Sequence, residues 1–372
     1  MPHKDRWQVC FLTGYPTFLA KNLVEGILAW YPQAIVALLV QSKYHKDAKA
    51  FVRKIGAGRR ARVVTGDVLN MHLGLSSDEY SILTNNVTHI FHAASASFAG
   101  TPEKTAYNIN VIGTRNMLDL ASDARNLGRF NHFSSAFVSG GRTGVVTEDE
   151  LDRGQRFTDH IQRTKFLAEK EVRAAADRVP ASVFRPSMVV GNSITGEVDR
   201  LEGFYSFVKL ILTPGFNLPL PVPRRGAAPL NVVPVDFVTE AALHIADRDD
   251  AAGKTFHLVD PNPLPVRKVL EMIAKKAGRP GLSIVPLPGR VTEILSKVKW
   301  VSRLSPAYVN ATDILGRFTI YNCSNTIAAL KDSAITCPSF DGYADRMLDF
   351  VKGSLSRQKE AEAEKALKDP LA

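Results

Sequence analysis

Short apolar runs alternate with longer amphipathic stretches through the first half of the chain. The runs are nearly continuous in apolar character and end at small or polar residues, which is typical of parallel strands buried on both faces. The predicted strands are 7–13, 34–40, 61–65, 88–92, 130–133 and 182–185. The predicted helices between them are 18–29, 103–127 and 157–175. This order predicts an α/β fold, a Rossmann-type doubly wound parallel sheet.

Past Pro186 the apolar periodicity loosens and the pattern becomes mixed. Helical spacing returns at 237–246 and at 266–277, and a strand is predicted between them at 255–259. The stretch 214–229 is rich in Pro and Gly and predicts a loop. The second half is therefore α+β in character.

The change of pattern predicts a division into domains. We expect a nucleotide-binding core at residues 1–200, to which residues 230–260 return, and a smaller C-terminal substrate lobe at residues 201–355. Residues 356–372 are rich in Ala, Glu and Lys, which predicts a charged tail that is helical or disordered.

Composition narrows the class of protein. The chain has 372 residues, of which 45% are hydrophobic, so a large core can form. No apolar run reaches the length of about 18 residues that a membrane span needs. The polar start Met1–Arg6 lacks the apolar core of a secretion signal, and the three cysteines, Cys10, Cys323 and Cys337, lack metal-ligand spacing. We therefore expect a cytoplasmic protein without a metal site.

The net charge of +10 suggests anionic ligands. The basic residues are dispersed and no nucleic-acid motif occurs, so nucleic acid is not an expected partner. A phosphorylated cofactor or an anionic membrane surface would each suit this charge. Residues 291–304 have the spacing of a basic amphipathic helix, which either packs on its own domain or makes peripheral membrane contact.

The turn after the first predicted strand is placed where a dinucleotide fingerprint belongs. Gly14 permits the tight turn, Thr17 stands where a second Gly is usual, and Ala20 stands at the third position. The Thr17 hydroxyl could cap the helix and donate to a phosphate. The alternative is a purely structural turn. The predicted cofactor-binding residues here are Thr13, Gly14, Pro16, Thr17, Phe18 and Leu19.

The end of the second predicted strand indicates which dinucleotide is bound. Gln41, Ser42 and Lys43 follow it, and no Asp or Glu is present to bind a ribose 2′-hydroxyl. Lys43 and Lys46 could pair with a 2′-phosphate, so NADP(H) is favoured over NAD(H). Both lysines could instead be ordinary surface charge. Gln41 and Lys43 are the predicted cofactor contacts here.

Several motifs resemble, in order and spacing, the extended short-chain dehydrogenases/reductases of the fatty acyl-CoA reductase and thioester reductase type. They are Gly66-Asp67-Val68, Ile90–Ser95, Asn110–Thr114, Ser134–Gly140, Thr164–Glu169 and Phe184–Gly191. The resemblance implies a lipid-like or acyl substrate and makes a homodimer plausible. It also implies cofactor contacts from Asp67, Val68, Ala93, Ala94, Asn110, Lys165, Pro186 and Val189.

The same resemblance implies a catalytic pair and reveals a missing acid. Ser135 would hydrogen-bond the substrate carbonyl, and Lys165 would hold the nicotinamide ribose. The family's proton-donating Tyr lies one helical turn before the Lys, and here that position is Ile161. His160 points about 100° away on a helix, and Thr158 is a poor acid. A water held by Ser135 and Lys165 could donate the proton instead.

Two functions are consistent with these residues. The first is an NADPH-dependent oxidoreductase that reduces an acyl thioester, an aldehyde or a ketone. The second is a non-catalytic nucleotide- or lipid-binding protein that kept the fold and lost the acid. A third possibility is a partner subunit of an active paralogue, although no residue of the sequence specifically indicates it.

Overall fold

The computed structural model describes residues 8–98, 100–212, 220–223, 226–279, 284–287 and 316–368. Contacts divide the chain into two compact units. The first unit comprises Met1–Ser187, Val235–Pro261 and Ile320–Thr336. The second unit comprises Met188–Pro234, Asn262–Thr319 and Cys337–Ala372. The predicted amphipathic helix 291–304 lies outside the described residues, as do residues 214–219 and 224–225 of the predicted loop 214–229. Within that loop, Leu220–Pro223 forms a strand, because it pairs with Ile284–Leu287.

A seven-stranded parallel sheet forms the centre of the first unit. In chain order, the strands of the molecule are β1 (Val9–Thr13), β2 (Ile35–Val40), β3 (Ala61–Thr65), β4 (His89–His92), β5 (Arg129–Phe133), β6 (Gly144–Val146), β7 (Ala181–Pro186), β8 (Met188–Val190), β9 (Leu220–Pro223), β10 (Val232–Pro234), β11 (Thr255–Leu258), β12 (Ile284–Leu287) and β13 (Thr319–Tyr321). The sheet order is β11-β7-β5-β4-β1-β2-β3. The predicted doubly wound fold is confirmed, with the change of direction between β1 and β4.

Helices connect these strands. They are α1 (Phe18–Trp30), α2 (His45–Lys54), α3 (Ser77–Asn86), α4 (Glu103–Tyr107), α5 (Gly113–Asp123), α6 (His160–Ala174), α7 (Phe204–Leu212), α8 (Val235–Ala246), α9 (Val266–Lys276), α10 (Ser324–Leu330) and α11 (Phe340–Lys368). The sequence pattern had not indicated α2 and α3, because each buries only two side chains and shows a thin apolar stripe.

The helix predicted over 103–127 is wrong in detail. A π-helical turn at Asn108–Ile112 separates α4 from α5, and the helical segment ends at Asp123. A π-turn inserts one residue into the helix and keeps its apolar face, so the periodicity did not reveal it. The turn places Asn110 in the interior of the first unit, where it is 2% exposed.

The division into units differs from the predicted domains in several segments. Residues 188–200 and 230–234, predicted to lie in the core, belong to the second unit. Residues 320–336, predicted to lie in the substrate lobe, belong to the first unit. The reason is visible in the contacts, because β13 pairs with β6 and α10 packs against β11 and α8. Residues 356–368 continue α11 without a break, so the predicted tail is the end of a longer helix.

The second unit has its own hydrophobic core, to which α7, α9 and α11 contribute buried faces. Two parallel strand pairs, β8–β10 and β9–β12, accompany these helices. Over the described part of the chain, no helix combines the length and the apolar character that crossing a bilayer requires. The same residues hold no group of three or more His, Cys, Asp or Glu side chains arranged to ligate a metal ion.

Candidate active site

The turn after β1 is built around the close approach of two strand ends. Gly14 has φ +107°, a region that L side chains rarely adopt. A Cβ at Gly14 would lie 2.7 Å from the carbonyl carbon of Ala93 and 2.9 Å from the amide nitrogen of Ala94. Glycine is therefore required both by the backbone angle and by the contact with the segment after β4.

The N-terminus of α1 has the form of an anion-binding site. Thr17 is the N-cap residue, and its hydroxyl oxygen accepts the Ala20 amide at 3.3 Å. The predicted capping role of Thr17 is therefore present. Within the described structure, the amides of Phe18 and Leu19 have no acceptor, as is usual in a first helical turn. These two N–H groups fit the pyrophosphate of a dinucleotide.

A directed chain of hydrogen bonds joins the ends of β1 and β4 to α5. The Thr114 hydroxyl donates to the Asn110 carbonyl at 2.6 Å, so its oxygen accepts from His92 Nε2 at 3.0 Å. His92 Nδ1 then accepts from the Thr13 hydroxyl at 2.9 Å, and the Thr13 oxygen accepts the Ala94 amide at 3.2 Å. Burial holds the pKa of His92 well below its usual range, so the ring is neutral. His92 is therefore a structural residue that links the strand ends.

The Asn110 side chain ties three segments together. Its Oδ1 accepts the Ala96 amide at 2.8 Å, while its Nδ2 donates to the Ala96 carbonyl at 3.2 Å and to the Thr164 hydroxyl at 2.9 Å. Thr164 in turn donates to the Ile161 carbonyl at 3.0 Å. Asn110 thus fixes the loop after β4 against α6, in the first unit.

The predicted cofactor residues near the ends of β2 and β3 differ in their surroundings. Gln41 Nε2 donates to Asp67 Oδ2 at 2.8 Å, which joins the end of β2 to the segment after β3. Val68 is buried in the core beneath α5, so its side chain serves packing. Lys43 is exposed, with its ammonium 4.9 Å from the centre of the Tyr44 ring.

Two further predicted contacts fall in different units. Pro186 is the last residue of β7 and is buried in the first unit. Val189 is the central residue of β8 and belongs to the second unit.

Ser135 and Lys165 are presented by the end of β5 and by α6. The Ser135 hydroxyl oxygen accepts the Phe137 amide at 3.3 Å, and its own proton is left to donate. Lys165 Nζ lies 3.4 Å from the carbonyl oxygen of Ser134, the neighbour of Ser135. Desolvation lowers the pKa of Lys165 to about 8. Lys165 therefore approaches the peptide group that links Ser134 to Ser135.

The position of the missing acid is filled with hydrocarbon. Ile161 is 6% exposed and packs against Ala96, Ala106 and Ile109. Its neighbour His160 is turned away and has Nε2 2.7 Å from the Thr101 carbonyl oxygen, to which it donates. Neither side chain takes the place of a phenol.

A buried ionic network behind this strand end was missed by the sequence analysis, in which Glu169 was only the last residue of a motif. Glu169 and Arg185 form a two-pronged pair, with Oε1 2.6 Å from Nη2 and Oε2 3.0 Å from Nε. Glu169 also accepts the Ser134 hydroxyl at 2.6 Å and Arg173 Nε at 3.0 Å. A charged residue inside an otherwise apolar strand, Arg185 in β7, was the pattern that could have revealed it.

The network continues from Arg185 to the edge of the sheet. Arg185 Nη1 donates to His257 Nε2 at 3.1 Å, and His257 Nδ1 then donates to the Asn322 carbonyl at 2.6 Å. Burial and the nearby guanidinium lower the pKa of His257 to about 3, so this ring is also neutral. The strand end that carries Ser135 is therefore held by a rigid polar scaffold.

Fold and site together define the nucleotide-binding domain of an extended short-chain dehydrogenase/reductase. The profile of the male sterility protein family matches residues 12–242. This match covers more than half of the chain, and the chain belongs to that family.

Curated relatives share one part of their length with this chain. A component of the linear gramicidin synthase of Brevibacillus parabrevis is 24% identical over 364 residues, which are 91% of this chain and 7% of the relative. Fatty acyl-CoA reductase wat of Drosophila melanogaster is 27% identical over 248 residues, which are 55% of this chain and 47% of the relative. The chain thus spans half or less of the length of these relatives.

Solved structures agree on the fold. The terminal R domain from the myxalamid PKS-NRPS biosynthetic pathway superposes with a TM-score of 0.79 and 25% identity, over 92% of this chain and 90% of that domain. The reductase domain of a nonribosomal peptide synthetase from Mycobacterium tuberculosis gives a TM-score of 0.68 and 20% identity, over 93% and 91%. The chain therefore has the architecture of these reductase domains.

Proposed function

We propose that the protein is an NADPH-dependent reductase of an acyl thioester, aldehyde or ketone on a lipid-like chain. The observation that carries the proposal is the approach of Lys165 to the peptide beside Ser135, at the end of β5 in a dinucleotide-binding sheet. The names of the relatives support a thioester or aldehyde substrate, because they include a fatty acyl-CoA reductase and an aldehyde reductase.

Backbone amides and side chains have separate roles in this proposal. The Phe18 and Leu19 amides bind the pyrophosphate, and Gly14 lets the dinucleotide lie close to the end of β1. Lys165 holds the nicotinamide ribose, and the Ser135 hydroxyl donates to the substrate carbonyl oxygen. A bound reduced nicotinamide supplies the hydride.

The choice of NADP(H) rests on charge at the end of β2. Gln41 is held by Asp67, so that carboxylate is already engaged through its Oδ2. Lys43 is exposed nearby and is suited to a 2′-phosphate. The net charge of +10 favours the more anionic of the two cofactors.

A non-catalytic binding protein is the second candidate, and Ile161 is the observation that favours it. The hydrocarbon cluster around Ile161 leaves no acid at the family position. General acid catalysis contributes typically about 10²–10⁴-fold, so its loss is large enough to abolish useful turnover. Cytoplasmic location, a homodimer and peripheral membrane contact stay predictions under either candidate.

One experiment separates the two candidates. NADPH and NADH binding are measured by calorimetry, and NADPH oxidation is followed with palmitoyl-CoA, an acyl-N-acetylcysteamine and decanal. We expect tighter binding of NADPH and slow oxidation with at least one substrate. Binding without oxidation by any of these substrates would establish the binding-protein alternative.

Restoring the phenol provides a second readout. Ile161→Tyr should raise the turnover number by about 10-fold or more, within the range that general acids supply. Ile161→Phe is the matched control, because it adds the same ring without the hydroxyl. Equal rates for the two variants would show that the site does not use a donor at this position.

A further inference from the structure

The missing phenol raises the question of which group in the site supplies a proton. His160 has already donated its Nε2–H to the Thr101 carbonyl. His92 has both ring nitrogens engaged, and His132, 4% exposed, has its pKa lowered to about 3 by burial. Asp159 caps α6 by accepting the Ile161 amide at 2.8 Å. His160 and Asp159 are thus engaged in hydrogen bonds within the protein, and the two buried rings of His92 and His132 are neutral.

Lys165 differs from all of them. Its ammonium has three N–H groups, and the only acceptor for it in the described structure is the Ser134 carbonyl, at the long distance of 3.4 Å. Two N–H groups are therefore free for a ligand. Its side chain is half-buried, so exchange of its proton with water is open.

The charges around Lys165 leave it without a carboxylate partner in the described residues. His92 and His132 interact with it electrostatically and are neutral. The charged groups on its own helix and on neighbouring elements are engaged in pairs, namely Glu169 with Arg185 and Arg173, Glu103 with Arg163, Arg115 with Glu171, and Lys170 with Asp152. Among the described residues no carboxylate is paired with the ammonium, and burial disfavours its charged form, so it gives up its proton more readily than an ordinary lysine.

We propose that Lys165 is itself the proton donor of the reduction, in place of the phenol that Ile161 has replaced. This inference rests on the proposed function. As hydride reaches the carbonyl carbon, the π electron pair of the C=O bond moves to the oxygen. The oxygen takes a proton from Lys165 Nζ, so that one N–H bond breaks and one O–H bond forms. The hydride that reduces the carbonyl carbon would be supplied by a bound reduced nicotinamide, and the neutral amine recovers a proton from water.

The ionisation of Lys165 can be measured without any cofactor. Trace labelling with acetic anhydride, followed by peptide mass spectrometry, reports the amine reactivity of each lysine as a function of pH. We expect the labelling of Lys165 to rise with a midpoint near pH 8, well below the ordinary lysine value of about 10.4. A midpoint at that ordinary value, or no labelling up to about pH 11, overturns the inference, because a donor must exchange its proton with solvent.

Lys165→Arg tests the donor role and keeps the charge. The Arg guanidinium stays protonated over this pH range. It can still hydrogen-bond a ribose hydroxyl, and it carries the same positive charge as the Lys ammonium. We expect the dissociation constant for NADPH to change by less than about 10-fold, while the turnover number falls by about 100-fold or more. Wild-type turnover should also decline as pH rises through about 8, because the donor must be protonated.

His160→Gln is the matched control, since the Gln amide can still donate to the Thr101 carbonyl. Its turnover should stay within about twofold of wild type. A large loss in His160→Gln, or a Lys165→Arg enzyme that keeps wild-type turnover, overturns the donor role and leaves the proposed reductase intact. A wild-type protein that binds NADPH and reduces no substrate ends both proposals together.

Discussion

Two strand ends of the same sheet carry an unexpected residue for the pattern that the resemblance implies, Thr17 at one and Ile161 at the other, and the structure accommodates the two side chains differently. At the end of β1, Thr17 replaces a glycine and takes up a new task as the cap of α1. On α6, beside the end of β5, Ile161 stands where the resemblance implies the proton-donating Tyr, and its side chain packs in a buried hydrocarbon cluster. Under the proposed function, backbone amides bind the nucleotide at the first end, so a side chain can change there. At the second end the proposed chemistry depends on the side chain itself.

The two ends are also stabilised by different forces. A neutral chain of hydrogen bonds through His92 joins β1, β4 and α5. Behind β5, a carboxylate that is fully buried, Glu169, holds two guanidinium groups. A buried charge is costly when it loses its partner, whereas a neutral hydrogen bond contributes only about 1 kcal/mol. The end that lost its acid is thus the one whose geometry is most strongly held.

The largest expected effect comes from breaking the ionic network. Glu169→Ala leaves Arg185 buried without its carboxylate, and we expect the free energy of unfolding to fall by about 3–5 kcal/mol. Urea denaturation measures the loss. Glu171→Ala, on the same helix, removes an exposed partner of Arg115 and should cost less than about 1 kcal/mol. Similar losses for the two variants would mean that the buried network is not special.

Gly14→Ala tests the close backbone approach at the end of β1. The new Cβ meets the Ala93 carbonyl carbon at 2.7 Å, and the φ of +107° is unfavourable for alanine. We expect a loss of about 2–4 kcal/mol in unfolding free energy, together with weaker NADPH binding. Gly58→Ala is the control, because a Cβ there has nothing within 4 Å. A Gly14→Ala protein as stable as Gly58→Ala would contradict the close approach of β1 and β4.

Sequence alone was sufficient for the sheet and for the strand ends. Apolar runs ending in Gly14, Ala93 and Ser135 located three crevice-lining segments, since parallel strands align their carboxyl ends. The sequence was insufficient where tertiary contacts determine the local structure. The π-turn that buries Asn110 leaves no mark in the periodicity, and the return of residues 320–336 to the first unit depends on β13 pairing with β6.

The candidate site was likewise only partly predictable. Ser135 and Lys165 were found through motif spacing, whereas the role of Glu169 depends on Arg185 reaching it from a different element. A sequence shows that a charge is present, and only the packing shows whether it is buried. The same limit applies to Gln41 and Asp67, which were predicted as separate cofactor contacts and are hydrogen-bonded to each other.

Lys165→Met tests the desolvation of Lys165 through the pH dependence of protein stability. The native pKa of Lys165 is about 8, below its unfolded value, so the folded state bears the desolvation cost of the ammonium at neutral pH. Met removes that cost and should stabilise the protein by about 1–2 kcal/mol at pH 7, less than the full shift because the side chain is partly exposed.

The sign of this effect follows from proton binding. Above pH 8 the native wild-type protein loses the proton before the unfolded chain does, so wild-type stability rises with pH. The advantage of Lys165→Met should therefore shrink toward about pH 10.4, the ordinary lysine value. Thermal melts at several pH values test this, with Lys170→Met, which removes an exposed lysine paired with Asp152, as the control. An advantage that does not vary with pH would show that Lys165 is not desolvated.

The smallest expected effect is at Thr17, and it decides how far the two ends really differ. Thr17→Ala removes the hydroxyl that accepts the Ala20 amide and should cost about 1 kcal/mol in unfolding free energy. Thr17→Gly should cost only a few tenths of a kcal/mol, because glycine is itself an acceptable cap. Glycine also removes bulk beside the Phe18 and Leu19 amides, so NADPH should bind Thr17→Gly at least as tightly as wild type. If Thr17→Gly binds NADPH more weakly, the threonine hydroxyl contacts the phosphate directly, and the nucleotide end depends on a side chain as much as the catalytic end does.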